Sequence, residues 1–227
     1  MRYLTLIALL AIAILPASSQ DIVTAEQFFN QVSERYGLVD DYEAALTIST
    51  ARRVMKGTLY FKAPSLLRID FKDPPDQVIA FDGQTLTVYI PELRAVLSQA
   101  AAEKNSGAAS PALATREGLK MMKRNYTIAY DSSPAPQSLD EKSQEQVVCL
   151  LLSRKTVAEG YKTMKLYVAP DSKLIRRITG WTLSGEEFSY DFQGIKINLG
   201  IPAARFVYDS PASANVYNNF LFKSDNP

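Results

Sequence analysis

The chain has 227 residues, 25 Lys and Arg against 24 Asp and Glu, no histidine and one cysteine. This balance argues against a nucleic-acid partner, because such binding depends on neutralising phosphates. It also argues against strong electrostatic adhesion to an anionic membrane. The missing histidine excludes Ser-His-Asp and Cys-His catalysis and the common zinc sites. Cys149 cannot form an internal disulfide, and its apolar neighbours predict a buried, unreactive thiol.

The first residues have the pattern of an export signal. Arg2 precedes an apolar run, Leu4 to Leu15, that is too short to span a bilayer as a helix. Small residues then lead to an expected cleavage after Ser19. We therefore expect a signal peptide at residues 1–19, a single domain over residues 20–227, and a mature protein in the periplasm.

The first element after this segment is predicted to be a helix. Thr24 is a suitable N-cap and Gln27 completes a capping box. Phe28 and Val32 then lie on one apolar stripe, and Gly37 is well placed to end the helix. The stripe predicts that the helix packs against a sheet.

From Asp41 onward the apolar period changes from helical to two, which indicates strands. A second helix is expected from Ala112 to Arg124, after Ser110-Pro111. About ten strands joined by short connections predict an α+β fold that is mainly antiparallel, an unclosed half-barrel whose helices cover the open side. The predicted strands lie near residues 42–49, 54–62, 67–71, 78–81, 85–90, 95–97, 126–130, 146–153, 162–168, 174–183, 188–192 and 196–199.

Residues 56–90 read KGTLYFKAPSLLRIDFKDPPDQVIAFDGQTLTVYI. In this order they place Gly57 before an aromatic strand, the tripeptide Lys62-Ala63-Pro64, a proline before a short strand, and Asp82-Gly83 ahead of Tyr89. The tail adds Ile201-Pro202 and Phe206-Val207-Tyr208. This ordered set resembles the outer-membrane lipoprotein carrier family, the LolA-type periplasmic chaperones.

The resemblance implies a half-barrel with a helical lid and an inner face that receives acyl chains. It also implies acylated lipoproteins as cargo, an inner-membrane release complex as donor and an outer-membrane acceptor. We expect a monomer with no catalytic site, no cofactor and no metal. The predicted lipid-binding residues are Leu59, Phe61, Leu67, Ile69, Phe71, Ile79, Phe81, Leu86 and Val88 on the strands, with Phe28, Val32, Met121 and Met122 on the helices.

One position departs from the family pattern. The family has an arginine directly before the proline that Pro64 matches, and this arginine helps to latch the lid. Here the position is Ala63. Arg52, Arg53 and Arg68 are the candidates to replace it.

Two alternative functions stay open at this point. An envelope sensor of the same fold would bind lipidated or misfolded proteins to control signalling. An envelope hydrolase that uses Asp or Glu would need two carboxylates facing one cleft. Asp73, Asp76 and Asp82 cluster in the sequence and suggest either paired carboxylates or a calcium site. Aspartates beside prolines more often bond their own turns, so this cluster is a weaker indication.

Overall fold

The computed structural model describes residues 23–100, 114–141, 143–156 and 160–219. The predicted signal peptide and the expected Ser110-Pro111 helix start lie outside these ranges. Helix α1 (Ala25–Gly37) begins and ends where predicted. The Thr24 hydroxyl accepts a hydrogen bond from the Gln27 amide, and the Gln27 side chain accepts one from the Thr24 amide, which forms the expected capping box.

Helix α2 (Arg116–Asn125) begins later than predicted. Thr115 has extended backbone angles, and its hydroxyl accepts a hydrogen bond from the Gly118 amide. Thr115 is therefore the N-cap, because its hydroxyl satisfies an amide that would otherwise have no partner in the first turn. The lysine and arginine in the last turn, Lys123 and Arg124, suit the negative end of the helix dipole.

The strands of the described residues form an antiparallel series with one parallel addition. Their bounds are β1 (Asp41–Thr50), β2 (Val54–Lys62), β3 (Leu66–Asp73), β4 (Val78–Phe81), β5 (Thr85–Ile90), β6 (Ala95–Ala100), β7 (Tyr126–Tyr130), β8 (Gln137–Ser138), β9 (Gln146–Arg154), β10 (Thr163–Val168), β11 (Ile175–Trp181), β12 (Glu187–Ile197) and β13 (Asn215–Asn218).

The strands pair in the order β13-β6-β5-β4-β3-β2-β1-β12-β11-β10-β9-β7, with β8 attached to β9. The sheet does not close on itself, which confirms the unclosed half-barrel. Two predicted segments near residues 188–199 are one long strand, β12. The parallel pairing of β13 with β6 was not predicted, because nothing in four residues of mixed polarity specifies a partner.

Both helices pack on one face of the sheet, which we call the inner face. Phe29 and Val32 of α1 and Leu119 and Met122 of α2 are fully buried there. They share a core with Leu59 and the other inner side chains of the sheet. Burial of this apolar stripe, at roughly 1.5 to 3 kcal/mol per large side chain, is what holds the helices against the sheet.

The C-terminal segment crosses the outer face. Asp41 is buried, and its carboxylate accepts hydrogen bonds from the amides of Leu199 and Ile201 at 2.6 and 2.9 Å. Further along, the Arg68 guanidinium donates to the carbonyls of Arg205 and Val207. These bonds fix the segment across β3 and bring β13 to the free edge of β6.

Salt bridges lie on the outer face of strands β10 to β12. Arg177 on β11 pairs with Asp191 of β12 and with both carboxylate oxygens of Asp140. The paired guanidinium lowers the pKa of Asp140. Cys149 lies beneath this layer, and burial raises the pKa of its thiol to about 11, so the thiol stays protonated. It packs as a small apolar side chain, as predicted.

Candidate functional site

A single row of side chains runs along the inner face from β1 to β13. The strand registers place Ala44 opposite Leu59, Leu59 opposite Ile69, and Ile69 opposite Ile79. The row continues outward through Val88, Leu97 and Tyr217. Residues directly opposite each other on neighbouring strands share one face. This row is therefore apolar across seven adjacent strands.

Burial changes along this row. Leu59 and Ile69 are 0% exposed and belong to the core that includes the helix side chains, whereas Ile79, Val88 and Leu97 are half-buried and Tyr217 is 54% exposed. The inner face is therefore filled over β1 to β3 and partly open over β4 to β6. A parallel row through Phe61, Leu67, Phe81 and Leu86 shows the same trend from buried to half-buried.

The residues predicted to bind lipid fall into two groups in the structure. The first group is buried among the protein's own side chains: Phe28, Val32, Leu59, Phe61, Leu67, Ile69, Phe71 and Met122. The second group is half-buried: Ile79, Phe81, Leu86, Val88 and Met121. The registers bring the nine strand residues onto one face, as the alternation predicted. Their contact with lipid stays a prediction.

The sequence prediction left out half of the inner face. Leu150, Leu152, Met164, Leu166 and Ile178 are fully buried on β9 to β11 and belong to the same core. Their side of the sheet was ambiguous because residues 147–152 form a continuous apolar run with no alternation. On the outer side of this run Val147 and Cys149 are also buried, and the loops on either side of β8 reach this side through the Asp131–Lys165 and Asp140–Arg177 ion pairs. Both faces of the run are therefore buried.

A buried tyrosine ties the start of α2 to the sheet. Tyr42 on β1 is 2% exposed, and its hydroxyl donates a 3.1 Å hydrogen bond to the carbonyl of Ala114. Burial raises the pKa of Tyr42 well above its ordinary value, so the hydroxyl stays protonated and able to donate. At the other end of α2, the Lys123 ammonium donates to the Asn30 side chain of α1.

None of the three arginines considered as lid latches contacts α1 or α2 in the described contacts. Arg68 points to the outer face, where it binds Asp70 and the C-terminal segment. Arg52 and Arg53 are exposed in the turn after β1, at the opposite end of that strand from Tyr42. The buried hydrogen bonds that join the helical side to the sheet instead use tyrosines: the Tyr42 hydroxyl donates to Ala114, and the Tyr36 hydroxyl of α1 accepts from the Ile175 amide of β11.

Replacement of Tyr42 by Phe is expected to destabilise the packing of the start of α2 against the sheet. The change leaves the buried Ala114 carbonyl without its donor, which costs about 1–3 kcal/mol. Hydrogen exchange should quicken in the first turn of α2. Tyr126→Phe is the matched control, since Tyr126 is also buried and its hydroxyl donates to the Tyr161 carbonyl, away from this turn. Equal acceleration in both variants would contradict the assignment.

The aspartates considered for catalysis have structural roles or lie exposed. The Asp82 carboxylate accepts hydrogen bonds from the amides of Gln84 and Thr85 and so caps the β4–β5 turn. Asp73 and Asp76 are exposed beside the Pro74-Pro75 turn. In residues 23–100, 114–141, 143–156 and 160–219, no group of three or more acidic or cysteine side chains is arranged to hold a metal ion.

The sequence matches a known family over most of the chain. Residues 47–209 match the family described as "Outer membrane lipoprotein carrier protein LolA". The chain belongs to this family. The family is one of carriers that bind lipoproteins, and this chain has the carrier fold.

Curated relatives at low sequence identity are named as members of the same carrier family. Proteins called "Outer-membrane lipoprotein carrier protein" from two strains of Pseudomonas putida are similar over most of their length. The GB-1 protein is 23% identical over 208 residues, which is 88% of this chain and 89% of the relative. The W619 protein is 25% identical over 217 residues, which is 94% and 93% of the two chains.

Solved structures show the same fold at lower identity. An uncharacterized conserved protein from Thermus thermophilus is 12% identical with a TM-score of 0.55, covering 86% of this chain and 98% of that one. The complex of MucA and MucB from Pseudomonas aeruginosa has a chain that is 11% identical with a TM-score of 0.51, covering 85% and 63%. Neither α1 nor α2 is long and apolar enough to cross a membrane, and the same holds for any other helical segment of the described residues.

Proposed function

We propose that this protein is a periplasmic carrier that shields the acyl chains of lipoproteins on their way from the inner to the outer membrane. The observation that supports this most directly is the apolar row from β1 to β13, which is buried over β1 to β3 and partly open over β4 to β6. An inner-membrane release complex supplies the cargo and an outer-membrane acceptor takes it. The carrier works as a monomer, with no cofactor.

The chemistry of the cargo explains why such a surface is needed. Each methylene removed from water is worth about 0.8 kcal/mol, so a chain of about fifteen methylenes is held in a membrane by up to roughly 12 kcal/mol. A lipoprotein with several such chains cannot cross water unshielded. The open strands β4 to β6 offer the first apolar contacts, through Ile79, Leu86 and Val88.

The covered half of the inner face supplies the remaining area once the helices move aside. Leu119 and Met122 of α2 lie over the sheet in the described state, together with Phe28 and Val32 of α1. An acyl chain that displaces them replaces one apolar contact with another, so the exchange costs little hydrophobic free energy. Met121 and Met122 have flexible side chains suited to a lining that changes shape.

The test is to purify the protein from the periplasm and analyse an organic extract by mass spectrometry. The carrier function predicts co-purified lipoprotein, detected as acylated peptides after proteolysis. Incubation of the purified protein with a synthetic triacylated lipopeptide should then give a soluble one-to-one complex. Protein that is lipid-free and fails to solubilise the lipopeptide would contradict the proposal.

A sensor function is the second candidate, and the fold shared with MucB in its complex with MucA favours it over an enzyme. A sensor would bind a protein segment of a regulator and release it on a signal. Affinity capture from envelope extracts separates the two functions. A carrier recovers many different acylated proteins, whereas a sensor recovers one protein whose binding does not require an acyl chain.

A further inference from the structure

Three hairpin turns at one end of the sheet present large apolar side chains to solvent. Val54 follows the β1–β2 turn, Leu93 lies between β5 and β6, and Leu183 lies between β11 and β12. Their exposed fractions are 48%, 68% and 61%. Because these strands alternate in direction, all three turns lie at the same end of the half-barrel. We call this end, defined by Val54, Leu93 and Leu183, the rim.

Cations accompany the apolar side chains of the rim. Arg52 and Arg53 directly precede Val54, and Arg94 directly follows Leu93. All three are exposed. Six carboxylates are present at this end among the described residues: Asp73, Asp76, Glu92, Glu186, Glu187 and Asp209. Six further cations, Lys56, Lys72, Arg124, Arg154, Lys155 and Lys162, bring the described cations to nine, so positive charge is in excess.

A shallow pocket of about 420 Å³ lies at the same end, between the last residues of β9 and the first of β10. It is lined by cationic side chains and hydroxyls, from Ser153, Arg154, Lys155, Thr156, Lys162 and Thr163. The Lys155 ammonium lies 3.2 Å from the Lys123 carbonyl at the end of α2. Cations and hydroxyls together suit the oxygen atoms of a phosphate group.

We propose that the rim docks onto the surface of an anionic lipid bilayer. The side chains of Val54, Leu93 and Leu183 enter the boundary between headgroups and acyl chains, while the flanking Lys and Arg side chains contact lipid phosphates. The net charge of the whole chain is close to zero and does not reveal the excess of cations at the rim, because it counts the charges of the whole molecule together. Cations near an anionic leaflet are attracted over about a Debye length, so docking weakens with salt.

The rim also connects with the inner face. Met55 follows Val54, and Phe188 lies just after the loop that carries Leu183. Both side chains are half-buried and pack against the apolar core. Tyr161 continues this contact, with its ring edge-on to Phe188. An apolar path thus leads from the rim into the face that holds the helices.

Trp181 makes the docking directly measurable. It is the single tryptophan of the chain and lies two residues before Leu183, half-buried, with its indole N–H donating to Glu187. Vesicles of phosphatidylglycerol and phosphatidylcholine should shift its emission to the blue and sediment with the full-length protein. Vesicles of phosphatidylcholine alone, or added salt, should largely abolish both signals.

A double variant and its matched control locate the contact. Leu93→Ser with Leu183→Ser should lower the vesicle partition coefficient by about tenfold or more, since two apolar side chains leave the interface. Leu38→Ser with Leu199→Ser changes similarly exposed leucines at the opposite end of the sheet and should leave partitioning unchanged. Both double variants should still solubilise a triacylated lipopeptide, which separates this result from a failure of the carrier function.

Three outcomes would overturn the proposal. The first is absence of binding to anionic vesicles at low salt. The second is an equal loss of partitioning in both double variants. The third is binding to an acidic polypeptide with no binding to vesicles, which would assign the rim to a protein partner instead.

Discussion

Replacement of Val88 by Glu is expected to abolish stable binding of an acylated peptide while the protein stays folded. Val88 is half-buried in the middle of the apolar row, opposite Ile79 and Leu97. A bound acyl chain would cover the new carboxylate and remove it from water without a partner. That cost exceeds about 1.4 kcal/mol, so affinity for a fluorescent triacylated peptide should fall by more than about tenfold.

The neighbouring strand position supplies the control. Thr87 is also half-buried but lies on the outer face, because side chains alternate along β5. Thr87→Glu introduces the same charge at the adjacent residue but on the opposite face of the strand. This variant should bind the peptide as the unchanged protein does. Val88→Leu should also bind. If Val88→Glu binds normally, the cargo does not contact this face, whereas equal losses at both positions would indicate general disruption of the strand.

Sequence patterns predicted the strand faces better than they predicted burial. Alternation on β2, β3 and β5 placed Leu59, Ile69 and Val88 on one face, and the registers confirm this. Alternation identifies which side chains share a face but says nothing of what covers that face. The full burial of Leu59 and the partial exposure of Val88 depend on where α1 and α2 pack, which is a tertiary property.

Contacts between distant segments also escaped prediction. The hydrogen bonds from the amides of Leu199 and Ile201 to the Asp41 carboxylate join residues far apart in the chain, and an aspartate at the start of a strand gives no sign of them. The hydrogen bond from Tyr42 to Ala114 is similar. Local cues, by contrast, worked well where the interaction is local, as at the Thr24 capping box.

Replacement of Leu119 by Ala tests whether α2 is a movable cover or a fixed part of the core. Leu119 is 0% exposed between α2 and the sheet, and truncation of such a side chain costs about 2–5 kcal/mol. If α2 opens locally, the truncation destabilises only the packing of α2 against the rest of the core, by this full free energy. The open population then rises by about 30-fold or more, and the amides of α2 exchange faster by the same factor.

The two possibilities give different exchange patterns. A movable α2 predicts faster exchange confined to α2 and its contacts on α1, and faster uptake of a fluorescent acyl probe by the inner face. Met121→Ala, on the half-buried side of the same helix, should change both quantities much less. If Leu119→Ala instead quickens exchange equally in β1, β2 and α2, the helix opens only when the sheet unfolds. The buried half of the inner face would then be permanent core, and cargo would be limited to the open surface of β4 to β6.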